Sequence, residues 1–277
     1  MTQATRHLDG VRNGSWAAPR HVGLTMMIDP GLPTGAFIDV VDSHGALIDM
    51  VKFGWGTALV TRDLHRKIAV LREANIEFFF GGTLFERYLW DNRLPEFVGL
   101  LRRSGATHVE VSNGTVPLDQ EMKAACVRRL ATEFVVLSEV GFKDVQRSDQ
   151  LTPAQWVEAI AMDLDAGASL VITETRESGR SGMADRNGRL RADVLEAVLA
   201  SIDPTRLVFE APTKDLQVEL IHAVGPAVNL GNIAAADVVG VETLRLGLRA
   251  DTLLHRSPHL ATATPVQVPA QAVVTAA

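Results

Sequence analysis

Eight short apolar runs, each followed by a longer amphipathic stretch, constrain this chain more than any other feature. The runs lie at 21–29, 49–56, 77–83, 108–114, 133–141, 169–177, 207–212 and 227–233. Each is rich in β-branched or aromatic residues and mostly apolar on both faces, the pattern of parallel strands covered by helices. Helical periodicity fills the intervals at 37–48, 62–75, 94–104, 118–131, 153–166, 191–202, 216–224 and 235–248. Thr152-Pro153 supplies an N-cap and a first-turn proline. Thr61 precedes an Arg/Asp-rich opening, and Gly105 and Gly167 fall where helices should end. Eight strand–helix units in about 235 residues predict an α/β fold, a single (β/α)8 TIM barrel with parallel strands. The alternative is a doubly wound sheet, whose first turn is usually glycine-rich. Here that turn reads Asp29-Pro30-Gly31-Leu32-Pro33, and no dinucleotide or P-loop fingerprint occurs.

The expected organisation is an N-terminal leader over 1–19, the barrel over 20–255 and a disordered C-terminal tail over 256–277, which is Ala/Thr/Val/Pro-rich. A formal charge of −6 argues against nucleic-acid binding as the main task. No apolar run is long enough for a membrane helix, and the N-terminus lacks a secretory core. The lone cysteine, Cys126, cannot form an internal disulfide. A cytoplasmic protein with neither a membrane nor a nucleic-acid partner is the expectation.

Barrel enzymes place their reacting groups at the C-terminal ends of the strands. Those ends carry Asp29, Lys52, Glu110 with Asn113, Glu139, Glu174 with Arg176, Glu210, and Asn229 with Asn232. One polar residue at a strand end is ordinarily a solvated loop residue or a cap. A recurrence on nearly every strand predicts a functional mouth. Residues two apart share a face, so Glu174 points with Arg176, Glu139 with Leu137, and Glu210 with Val208. Glu110, Glu139, Glu174 and Glu210 then form an arc, and clustered carboxylates need compensating cations. Lys52, Lys143, Arg176, Lys214 or a metal could serve, and carboxylate oxygens suit Mg²⁺. The segment 229–233 precedes a helix, where backbone amides including those of Gly231 and Asn232 could bind phosphate, or simply form a turn. The glycines of 53–57 and 81–83 allow a close ligand approach or a tight turn. The eight histidines show no metal spacing, and no nucleophile elbow appears.

The motifs 52–57 (KFGWGT), 81–86 (GGTLFE), 138–141 (SEVG), 176–179 (RESG), 209–212 (FEAP), 228–233 (VNLGNI) and 242–245 (ETLR) together closely resemble the phosphosulfolactate synthase family. The resemblance covers nearly all of 21–254, in order. It implies a (β/α)8 barrel and Mg²⁺-dependent addition of sulfite to phosphoenolpyruvate, giving (2R)-2-O-phospho-3-sulfolactate for coenzyme M or sulfolactate biosynthesis. It implies Lys143 as general acid, a role that calls for a lowered pKa. By the same resemblance, Lys52, Arg176 and the amides of 229–233 would hold anions; the strand-end reading adds Lys214 beside 229–233 as a phosphate grip, and Glu110, Glu139, Glu174 and Glu210 as metal ligands or their supports. A homo-oligomer is expected. The chain departs from the family pattern at Asn113, Phe142, Thr213, Arg180, Leu216, Leu246 and Ala250. A paralogue with another nucleophile or acceptor, or a non-catalytic binding or stress-associated relative, are the competing readings.

Overall fold

The computed structural model describes residues 22–254. The expected leader and tail lie outside the described residues. In chain order the main elements are β1 (Thr25–Asp29), α1 (Thr34–His44), β2 (Met50–Phe53), α2 (Leu64–Glu73), β3 (Glu77–Phe80), α3 (Gly82–Trp90), α4 (Leu94–Ser104), β4 (His108–Val111), α5 (Gln120–Leu130), β5 (Val135–Val140), α6 (Val145–Gln150), α7 (Pro153–Asp165), β6 (Leu170–Thr173), α8 (Ala192–Ser201), β7 (Leu207–Glu210), α9 (Lys214–Val224), β8 (Leu230–Ala234) and α10 (Val238–Arg245).

The strands form one parallel sheet in the order β3-β2-β1-β8-β7-β6-β5-β4. Its two edge strands, β3 and β4, lie side by side, and the Thr107 hydroxyl donates to Glu77 across that seam at 2.6 Å. The result is the expected (β/α)8 barrel, nearly closed.

Two apolar clusters follow from the two-residue strand period. Met26, Phe79, Leu137, Ile172 and Val208 fill the barrel interior as one layer. The residues two positions farther along these strands are Ile28, Gly81, Glu139, Glu174 and Glu210. They form the next interior layer, at the C-terminal mouth. The alternate residues, such as Phe53, Phe80, Val109, Val140 and Phe209, pack outward against the helices in the larger cluster.

Several boundaries differ from the sequence reading. Strand β3 gives way at once to α3, with Gly81 as N-cap and no intervening loop. Helix α2 is preceded by Asp63 rather than Thr61, whose hydroxyl instead closes a turn on the Thr57 carbonyl at 2.8 Å. The periodicity left out α6, a short helix capped by Asp144. Thr152 and Gln155 form a reciprocal capping box on α7, and Gly105 ends α4 in the left-handed region at φ 65°. Among the described residues, no helix is long and apolar enough to cross a membrane.

Candidate active site

The mouth is an ionic lattice built on strand ends. Glu110 (β4), Glu139 (β5), Glu174 (just after β6) and Glu210 (end of β7) are each at most 2 % exposed. Lys52 rises from β2 into their centre. Its Nζ lies 3.0 Å from Glu110 Oε1, 3.0 Å from Glu210 Oε1 and 3.5 Å from Glu139 Oε2. Lys143 reaches back over the rim, with Nζ 2.9 Å from Glu139 Oε1 and 3.5 Å from Glu174 Oε2. The Thr175 amide donates to Glu210 at 2.9 Å and fixes the remaining oxygen of that carboxylate.

These contacts divide the charge unevenly. Burial pushes Glu110 well up despite the pull of Lys52, and it pushes Glu174 well up with help from Glu139 and Glu210. Burial raises Glu210 too, against Lys52. Glu139 goes the other way. Burial opposes its charge, but Lys143 and Lys52 outweigh that cost and hold it well below the carboxylate range. Burial likewise opposes charge on Lys143, yet Glu139 and Glu174 hold its ammonium above the lysine range. That is opposite to the lowered pKa expected of Lys143.

A divalent cation fits this donor set. Four carboxylates against two ammoniums leave a formal −2 if all are ionised. One oxygen each from Glu139, Glu174 and Glu210 lies within 4.8 Å of the others, and hard oxygen donors match Mg²⁺. Glu110 stands outside that trio and is engaged with Lys52.

The anchors expected for anions separate. Arg176 and Asn232 line the same cleft as Lys52 and Lys143, and Arg176 Nη1 donates to the Lys143 carbonyl at 3.4 Å. Asn232 adopts φ 54°, and its Oδ1 is buried with no hydrogen-bond partner. Gly231 pairs with Glu210 in the sheet. Lys214 sits on the rim at the start of α9, ion-paired with Asp251 at 2.7 Å. Asn229 does not reach the mouth, which corrects the sequence reading. It precedes β8, accepts from the Leu24 amide at 3.0 Å and donates to the Leu207 carbonyl at 2.9 Å. The strand starts after Asn229, so that side chain secures the opposite end of the barrel. Asp29 also faces away from the lumen, holding Lys67 at 2.6 Å and the turn amides of Gly31 and Leu32.

Trp55, Gly81, Gly82 and Thr83 line the cleft, within the two glycine segments read as allowing either a close ligand approach or a tight turn, whereas Ile28 and Glu177 line it without having been singled out. The signal for the first four was glycine spacing. Trp55 adopts φ 51° between Gly54 and Gly56, and the Gly81-Gly82 pair lets α3 begin inside the mouth. A Cβ on Gly82 would meet Ser112 Cβ at 2.8 Å and Glu110 Oε1 at 3.0 Å.

The profile of one family, (2R)-phospho-3-sulfolactate synthase (ComA), matches residues 13–251. The chain belongs to the (2R)-phospho-3-sulfolactate synthase family. It is 46% identical over 235 residues to the phosphosulfolactate synthase of Bacillus subtilis (strain 168), covering 84% of this chain and 93% of the relative. It is 41% identical over 234 residues to that of Methanocaldococcus jannaschii, covering 83% of this chain and 93% of the relative. Among solved structures it resembles 3-hexulose-6-phosphate synthase from Salmonella typhimurium. The TM-score is 0.52 at 17% identity, covering 83% of this chain and 99% of that one, a likeness of fold alone.

None of the positions read as departures from the family pattern lines that cleft. Asn113 and Phe142 line a separate cavity of about 400 Å³ behind β5, where the Arg147 guanidinium stacks on Phe142 at 3.9 Å. Thr213 caps α9 by accepting from the amide of Leu216, which is buried.

Proposed function

We propose that this chain is a carbon–sulfur lyase running in the synthase direction, adding sulfite to phosphoenolpyruvate to form (2R)-2-O-phospho-3-sulfolactate. The observation that carries this reading is Lys143 Nζ, set over the mouth between Glu139 and Glu174. A proton donor there faces a site built to compensate anionic charge. That no family departure lines the cleft favours the family's substrates over another nucleophile or acceptor.

The sulfite sulfur lone pair attacks the CH₂ carbon of phosphoenolpyruvate and forms the C–S bond. The alkene electron pair moves through C2 into the carboxylate as an enediolate, and the Lys143 ammonium delivers a proton to C2. Glu139, Glu174 and Glu210 would hold Mg²⁺, which when bound supplies Lewis-acid stabilisation of the charge developing on the substrate carboxylate. Glu139 and Glu174 keep the Lys143 side chain as an ammonium, so the proton to be delivered is in place over the mouth. Lys52 keeps the carboxylates in place and adds positive charge beneath the enediolate. Arg176 anchors an anion at one rim. Asn232 and the amides after Gly231, with Lys214 on the same side, would take the phosphate.

The test is direct. Purified protein with Mg²⁺, phosphoenolpyruvate and sulfite should yield phosphosulfolactate, followed by ³¹P and ¹³C NMR. No product across a range of sulfite concentrations would reject the reaction.

A further inference from the structure

Glu86 is a buried carboxylate that the reaction above does not use. It sits on α3, 2 % exposed, within the 81–86 motif. Four donors converge on it. Oε1 accepts from the Ser112 hydroxyl at 2.5 Å and the Gly114 amide at 3.0 Å. Oε2 accepts from the amides of Thr115 and Val116, each at 2.9 Å. A carboxylate cradled by successive amides is a strong, directional anchor.

What it anchors matters for the site. The Gly114 carbonyl accepts the backbone amide of Lys143 at 3.2 Å. A Cβ at Gly114 would lie 3.4 Å from Lys143 Cγ and 3.5 Å from Glu139 Oε1. The loop after β4 is thus the wall against which Lys143 rests. Lys143 has no regular element of its own, since it falls between the end of β5 at Val140 and the start of α6 at Val145.

We infer that Glu86 is a positioning residue for proton delivery, pinning the 112–116 loop so that Lys143 is held over the reacting carbon. This rests on the reaction proposed above. Glu86 touches neither substrate nor Lys143 itself. It acts through the Gly114 carbonyl and the packing of that loop on the lysine stem.

Glu86→Gln in the full chain tests this in two ways. Glutamine replaces an acceptor oxygen with an amino group that faces amide donors, so the clamp opens while volume is kept. Amide hydrogen exchange at Gly114, Thr115, Val116 and Lys143 should quicken by about tenfold or more, the scale of one lost charge-assisted hydrogen bond. The turnover number should fall by about tenfold or more, with KM for phosphoenolpyruvate within about twofold, because orientation is lost and binding is not. Glu86→Asp keeps the charge and should recover part of the turnover. If the Gln variant fails to fold, the Asp variant carries both comparisons, with smaller losses of the same kind. Unchanged exchange at these amides, or turnover within twofold of wild type in a folded variant with a loosened loop, overturns the inference. If wild-type protein gives no phosphosulfolactate, the reaction reading falls, and the exchange experiment still decides whether Glu86 holds the loop.

Discussion

Lys143 owes its position to its neighbours rather than to its own element. Its side chain is 26% exposed, so it contributes little to the core, and its removal should leave the barrel folded. General acid catalysis is worth about 10²–10⁴-fold. Lys143→Ala should therefore lower kcat by at least about a hundredfold, with circular dichroism unchanged. Lys143→Arg should fare almost as badly, because a guanidinium does not release its proton near neutral pH. Steady-state kinetics on both variants provide the check. An alanine variant retaining more than about a tenth of wild-type kcat would transfer the role elsewhere, with Lys52 first in line.

At the scale of elements, helix α7 supports the mouth from behind. Trp156, fully buried on α7, packs against Gly141 at the exit of β5. A Cβ on Gly141 would lie 2.7 Å from the Trp156 ring and 2.8 Å from Glu174 Cβ, at a φ of 122° that side chains avoid. The helix that delivers Trp156 starts at an exposed capping box. Thr152→Ala removes that cap and should lower stability by about 1 kcal/mol, read as a lower urea midpoint at unchanged m-value. Specific activity of the folded enzyme should stay at the wild-type level, since the cap touches no residue of the cleft. Gly141→Ala, by contrast, should cost both stability and turnover, because it drives Glu174 and Trp156 apart. Overpacking of this kind costs about 1–3 kcal/mol, measurable in the same urea titration.

For the whole molecule, the barrel gathers like charges that a sheet alone would keep apart. The trio of Glu139, Glu174 and Glu210 offers a divalent cation three close carboxylate oxygens, and a ligand that binds only the folded state stabilises it. Mg²⁺ should raise the melting temperature in a concentration-dependent way. Chelation followed by dialysis should abolish turnover, and Mg²⁺ or Mn²⁺ should restore it. Full activity in excess EDTA, with no thermal shift on adding Mg²⁺, would show that the lysines alone compensate the carboxylates. Glu174→Gln removes one of the trio and should abolish the thermal shift.

The apolar runs, read at a period of two, determined the strands, their parallel arrangement and the side to which Glu139, Glu174 and Glu210 point. These are local properties, since alternation along a strand needs no knowledge of its neighbours. The cap at Thr152 and the stop at Gly105 were legible for the same reason. The contacts that make a site were not. Lys52 meets Glu110, Glu139 and Glu210 across separations of 58, 87 and 158 residues, and no local pattern encodes which cation settles among which carboxylates. Asn229 looked like part of a strand end because it lies within the 227–233 run. Strand β8 begins only at Leu230, three residues into that run, and leaves Asn229 to bind backbone at the far end. The sign of the Lys143 shift was likewise a tertiary matter, because it reflects competition between burial and carboxylates that only barrel closure brings within reach.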